Sequence, residues 1–169
     1  MAERGVTLLE LMVTVTIILV LASVALPLST YTSKRTQELE LRQRLREMRT
    51  AIDDFRRDWA RDGDILTGPL CVKNKSACKE YTGVTGYPKK VDLLLGIELT
   101  GAEATVRETK AIRRYLRRIP LDPMTGASEW GLRCYQDPPE TQSWCGEDVF
   151  DIYSKSPETA VDKSKYRDW

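Results

Sequence analysis

Few side chains in this chain can do covalent or acid–base chemistry. The 169 residues include no histidine. That excludes Ser-His-Asp and Cys-His catalysis, imidazole acid–base work and every zinc site that needs imidazole. Four cysteines remain: Cys71, Cys78, Cys134 and Cys145. Their C-x6-C and C-x10-C spacings lack the tight pairs of a four-thiolate zinc site. An even count behind an export-like N-terminal segment fits disulfides formed outside the cytoplasm. Three connectivities are open. The two local loops, Cys71–Cys78 and Cys134–Cys145, are favoured because each closes a short Gly/Pro/polar segment. The best carboxylate set is Glu147, Asp148 and Asp151, beside a predicted strand. Acid clusters of this kind are mostly solvated surface, so no enzyme is expected. With 26 basic and 25 acidic residues the net charge is +1, which gives no reason to expect nucleic acid as a partner.

One acid is out of place. Glu10 lies inside the apolar stretch Gly5–Pro27, and from Leu11 to Ser33 no residue is charged. A carboxylate within a membrane costs about 2.5–3.5 kcal/mol on insertion scales and usually marks function. A spanning helix needs roughly 20 apolar residues, and Val6 to Leu28 reaches that length only with Glu10 inside it. Three readings compete: a removable signal peptide with Ala22-Ser23-Val24-Ala25 as its cleavage site, a plain signal anchor, and a processed assembly segment.

The elements that position these residues follow in order. Leu41, Leu45, Met48, Ile52, Phe55 and Trp59 form an apolar stripe at alternating spacings of four and three. Glu38/Arg42, Glu40/Arg44 and Asp53/Arg57 have the supportive i,i+4 order. Together they predict one helix from Leu8 to Asp62, capped by Gly63 and about 80 Å long. The stripe is expected to pack on the domain that follows rather than form a coiled coil. Residues 64–88 read as an irregular connection, Val91–Leu95 as a short helix and Ala104–Arg118 as a further helix. Its Arg113, Arg114, Arg117 and Arg118 make a basic cluster that reads as a solvated face. Trp130–Tyr135 and Val149–Ser154 read as strands. The tail from Ser154 to Trp169 is polar with no helical period.

The junction Gly5-Val6-Thr7-Leu8-Leu9-Glu10 resembles the class III leader junction of type IV pilins and type II secretion pseudopilins, with Val6 where Phe is usual. Tyr115–Gly126, Trp130-Gly131-Leu132, Asp148–Ser154 and Lys165–Trp169 resemble the major pseudopilins of type II secretion; residues 64–88 match nothing in that family. The resemblance implies an α+β, pilin-like fold. A long N-terminal helix, part transmembrane and part amphipathic, would pack on a small antiparallel sheet. It divides the chain into a leader, 1–5, a transmembrane assembly helix, 6–28, its amphipathic continuation, 29–63, and a periplasmic domain, 64–169. It implies cleavage after Gly5 by a prepilin peptidase, N-methylation of Val6, and Glu10 as the register mark that meets a neighbouring subunit's amine. It implies a single-pass bacterial inner-membrane protein assembled into a homo-oligomeric filament, with an inner-membrane assembly platform and minor pseudopilins as partners. No cofactor is certain. Calcium in the C-terminal loop is the one candidate, with Ser154 and Asp162 as ligands and Glu158 and backbone carbonyls as further oxygens, against a loop held by packing of Tyr166 and Trp169. A minor type IV pilin and a signal-anchored periplasmic binding module are the alternatives in function.

Overall fold

The computed structural model describes residues 7–99, 105–106, 109–138, 140–141 and 143–169, without the side chains of 24–29, 105–106 and 109–110. The chain falls into two compact units, Met1–Gln37 and Glu38–Trp169. Helix α1, Leu8–Trp59, begins in the first and ends in the second.

Residues 8–37 of α1 are the described body of the first unit. Helix runs through Pro27. The hydroxyls of Thr14, Thr16 and Ser23 donate to the carbonyls of Leu11, Met12 and Val20 at 2.9, 2.7 and 2.7 Å. Their polar groups are thereby satisfied inside the helix, which is what an apolar surrounding demands.

In the second unit, α1 supplies one wall of the core. Leu41, Leu45, Met48, Ile52, Phe55 and Trp59 are each at most 1% exposed, and they meet Cys71, Cys78, Leu94, Ile97, Trp130, Val149, Ile152 and Tyr166. The predicted stripe is therefore a face packed on its own domain. Two of the predicted ion pairs differ. Arg44 does pair with Glu40 at 3.1 Å, but Arg57 takes Asp54, one residue closer than Asp53, and Glu38 turns into the core.

The helix ends at Trp59 rather than Asp62. Arg61–Asp62 leave it as strand β1 and pair antiparallel with β2, Ile65–Leu66. Gly63 sits in the intervening turn with φ 56°, a left-handed conformation that favours glycine, so it serves a hairpin and not a helix cap. Residues 64–88 are also more regular than their composition suggests. They contain α2, Pro69–Lys73, opened by a proline in its first turn, and α3, Lys75–Tyr81. Helices this short show no period in sequence; burial of Cys71, Ala77 and Cys78 holds them.

Val91–Leu95 forms a single 3-10 turn. The helix expected over Ala104–Arg118 is absent from the described residues there. Strand β3, Ile97–Glu98, is followed by β4, Thr105–Val106, β5, Thr109–Lys110, and β6, Ile112–Arg113, with β3 paired to β6 and β4 to β5. The β-branched Thr105, Val106, Thr109 and Ile112 favour strand, and pairing with Ile97–Glu98 is a non-local contact that local periodicity does not register. Strands β7, Gly131–Arg133, and β8, Asp151–Tyr153, fall inside the two predicted strands and pair in the register Leu132↔Ile152. The architecture is α+β, a long helix packed on small antiparallel sheets. Among the described residues the strands form two-stranded ribbons rather than one continuous sheet.

Candidate functional site

Gly5 and Val6, the predicted cleavage and methylation positions, lie outside the described residues. The structure begins at Thr7, and its first act is to cap α1. Thr7 Oγ1 accepts the Glu10 N–H at 3.2 Å, and the Thr7 carbonyl accepts the Leu11 N–H at 3.1 Å. Thr7-Leu8-Leu9-Glu10 is thus an S/T-x-x-E capping sequence with the Thr half of its hydrogen bonding made. An acid in the first turn also suits the positive end of the helix dipole. The sequence motif was in plain view, but the role of Thr7 went unread beside Glu10.

Glu10 is exposed, and its neighbours are exposed hydrophobics. Leu8 is 79% exposed, Leu9 73% and Leu21 66%, with Met12, Ile17, Ile18 and Leu19 all above half. Among the described residues, no part of the first unit covers them. Covering one such side chain contributes about 1.5–3 kcal/mol, so this helix surface calls for lipid or other chains around it. Among the described residues no helix is long and apolar enough to cross a membrane. The predicted span 6–28 includes Val6, which is not described, and residues 24–28, whose side chains are not.

Residues 1–26 match the family model described as the prokaryotic N-terminal methylation motif. This motif marks type IV pilin-like and pseudopilin proteins, which are membrane-anchored, are substrates of the prepilin peptidase and assemble into filaments. Comparison with curated proteins and with solved structures gave no match.

In the second unit, Cys71 is joined to Cys78, linking α2 to α3, and Cys134 to Cys145. Closing loops of these lengths stabilises the fold by about 2–3 kcal/mol each on the chain-entropy account. Of the acids considered for catalysis, Glu147 is exposed, and Asp148 and Asp151 are bound to structural partners. Asp148 accepts the Tyr135 N–H at 3.0 Å and the Thr85 hydroxyl, while Asp151 pairs with Arg49 at 2.6 Å and Arg133 at 3.6 Å. Of the basic cluster, Arg113 is held by Asp58 at 2.8 Å, and Arg114, Arg117 and Arg118 are exposed.

The two residues singled out for calcium have different partners. Ser154 is fully buried, donates to Asp122 Oδ2 at 2.6 Å and accepts the Ser156 N–H at 3.1 Å. Asp162 is on the surface. Its Oδ1 accepts the Ser164 N–H and hydroxyl at 2.9 and 2.5 Å, and its Oδ2 stands 3.7 Å from the Arg42 guanidinium. Those bonds hold the Asp162 carboxyl below its ordinary range, the Ser164 hydroxyl most of all.

Three residues organise this tail: Arg49, which sequence reasoning did not single out, and Glu38 and Arg42, which it read only as a helix pair. Glu38 Oε1 accepts the Val161 N–H at 2.7 Å and the Tyr166 hydroxyl at 2.9 Å. Burial, then the bond to Glu38, raises the Tyr166 hydroxyl above its usual value and keeps it a donor. Arg42 stacks 4.2 Å from the Trp169 ring centroid. Arg49 bridges Asp151 to the carbonyls of Ile152 and Trp169. A signal existed for Glu38: it stands three residues before Leu41, on the same apolar stripe.

Proposed function

We propose that this chain is a structural subunit of a type II secretion pseudopilus. On this reading the precursor enters the bacterial inner membrane with its C-terminal domain in the periplasm. It is cut after Gly5 by a prepilin peptidase and methylated on Val6. An inner-membrane assembly platform and minor pseudopilins then help add it to a helical filament whose growth drives protein secretion. It is not an enzyme on this reading.

The observation that carries it is the N-terminal methylation motif over residues 1–26. Two further features support it. Among the described residues, the apolar side chains of α1 from Leu8 to Leu21 are exposed, and Glu10 lies among them. Once Val6 is the first residue, its amine is a natural counter-charge for Glu10 of another copy. A costly charge then selects one register between helices. Non-closing, head-to-tail contacts between copies extend as open filaments.

N-terminal sequencing and mass of the mature protein are expected to show a start at Val6 carrying one added methyl group. A start at Leu26, or an intact Met1, overturns the reading. Glu10→Leu leaves the Thr7 cap in place, because that cap uses the Glu10 backbone N–H. Membrane insertion is therefore expected to persist while incorporation into filaments falls; normal incorporation removes the register role. Deleting the gene separates the pseudopilin from a type IV pilin: the first loses secretion of exported enzymes, the second loses surface pili.

A further inference from the structure

We infer that the C-terminal loop is closed by a clamp of Glu38 and Arg42 on α1, and that it takes no calcium ion. The clamp spans the sequence. Glu38 and Arg42 are one helical turn apart, and between them they touch Val161, Asp162, Tyr166 and Trp169.

A hard cation of the calcium type needs six to eight oxygens converging at about 2.3–2.6 Å. The two side chains singled out, Ser154 and Asp162, do not converge. Ser154 is turned into the core toward Asp122, and its oxygen already gives and receives a hydrogen bond. Asp162 has one oxygen occupied by Ser164 and the other facing a guanidinium. The loop carbonyls turn inward as well: those of Ala160, Ser164 and Lys165 accept the N–H groups of Lys163, Ala160 and Asp168 at 2.9, 2.8 and 3.0 Å. Lys163 follows Asp162 directly, in the left-handed region at φ 69°. A dication beside Asp162 would meet the positive charge of Arg42 within a few ångströms, where like charges repel strongly.

The work a metal would do is done by side chains. Glu38 is 8% exposed and ties two points of the loop, Val161 and Tyr166, to α1 with a single carboxylate oxygen. Arg42 supplies the positive charge opposite Asp162 and a flat face for Trp169, whose indole N–H donates to the Ser164 hydroxyl at 2.6 Å. An antiparallel bridge between Thr159 and Lys165 completes the closure. This inference stands on the contacts of the second unit alone, so it survives or fails independently of the filament reading.

The test is amide hydrogen exchange of the full chain in detergent micelles, followed by mass spectrometry of peptides covering 155–169. Exchange is measured in EGTA and in calcium chloride at about 10 mM, well above the roughly 1 mM of the weakest extracellular calcium sites. Wild-type tail exchange is expected to be the same, within about twofold, in both. Glu38→Ala leaves the buried Tyr166 hydroxyl and the Val161 N–H without their acceptor, so tail exchange is expected to rise about tenfold or more. Peptides covering 131–133 should keep their protection. Should Glu38→Ala fail to fold, Arg42→Ala replaces an exposed side chain and still reads the clamp, with a rise of about threefold. Slowing of wild-type exchange by calcium beyond twofold overturns the inference. So does wild-type tail protection in either folded variant.

Discussion

Arg49 offers the sharpest test of how the second unit is held together. Its Nε donates to Asp151 Oδ1 at 2.6 Å, and one terminal nitrogen reaches Asp151 Oδ2, the Ile152 carbonyl and the Trp169 carbonyl. One side chain on α1 thus fastens β8 and the end of the chain. Replacing it by methionine keeps the aliphatic stem and removes every one of these bonds. Breaking a fully buried ion pair costs about 3–5 kcal/mol, whereas an exposed pair is worth about 0–1. The Arg49 and Asp151 side chains are 35% and 22% exposed, and Asp151 keeps Arg133 at 3.6 Å, so the cost lies between these limits. We expect a loss of about 2–3 kcal/mol, which for a domain of this size lowers Tm by about 4–12 °C. Tryptophan fluorescence of the full chain in micelles during heating measures it. Arg57→Met is the control, since Arg57 is 75% exposed and pairs with an acid on its own helix; its shift should stay under about 2 °C. The double variant Arg49→Met, Asp151→Asn should lose less than the sum of the two single changes, with a coupling of about 1–2 kcal/mol. Equal melting of the Arg49 and Arg57 variants, or additive losses in the cycle, refutes the assignment.

Two further outcomes follow from close contacts and from charge. A methyl group on Gly131 would overlap the Tyr153 ring, so Gly131→Ala is expected to separate β7 from β8 and cost about 1–3 kcal/mol in a denaturant titration; a loss below about 0.5 shows that the ring moves freely aside. The Asp162 carboxyl is held below its ordinary range by Ser164 first and Arg42 later, so its contribution is fully present above its unfolded value. That contribution is lost as pH falls through the lower folded value. Asp162→Asn should therefore flatten the acid limb of the stability profile below about pH 4 and leave its shape above pH 5 unchanged; an unaltered acid limb excludes this contribution.

Legibility in the sequence followed the range of the interactions. The stripe from Leu41 to Trp59 could be read directly, because burial of one helical face imposes its spacing on neighbouring residues. The strands at 131–133 and 151–153 were legible for the same reason: alternation and aromatic content are local. Residues 104–118 were not. Their apolar spacing suits a helix, but Ile112–Arg113 pair with Ile97–Glu98, which no window over these residues contains, and Thr105–Val106 pair with Thr109–Lys110. The short helices α2 and α3 escaped because five and seven residues are too few to show a period.

At the N-terminus the methylation motif over residues 1–26 was legible in the sequence alone. The methylation motif, the uninterrupted apolar run and the lone Glu10 are contiguous, so chemistry that acts on a linear segment can be read from a linear segment. The C-terminal loop is the opposite case. Ser154 and Asp162 looked like ligands because their side chains carry oxygen. Which way those oxygens face is set by partners distant in sequence: Ser154 turns to Asp122, and Asp162 faces Arg42 on α1, one turn from Glu38, which is separated from Val161 by 123 positions. Only the tertiary structure brings these groups together, because packing of α1 against the tail decides which hydrogen bonds the loop must satisfy for itself.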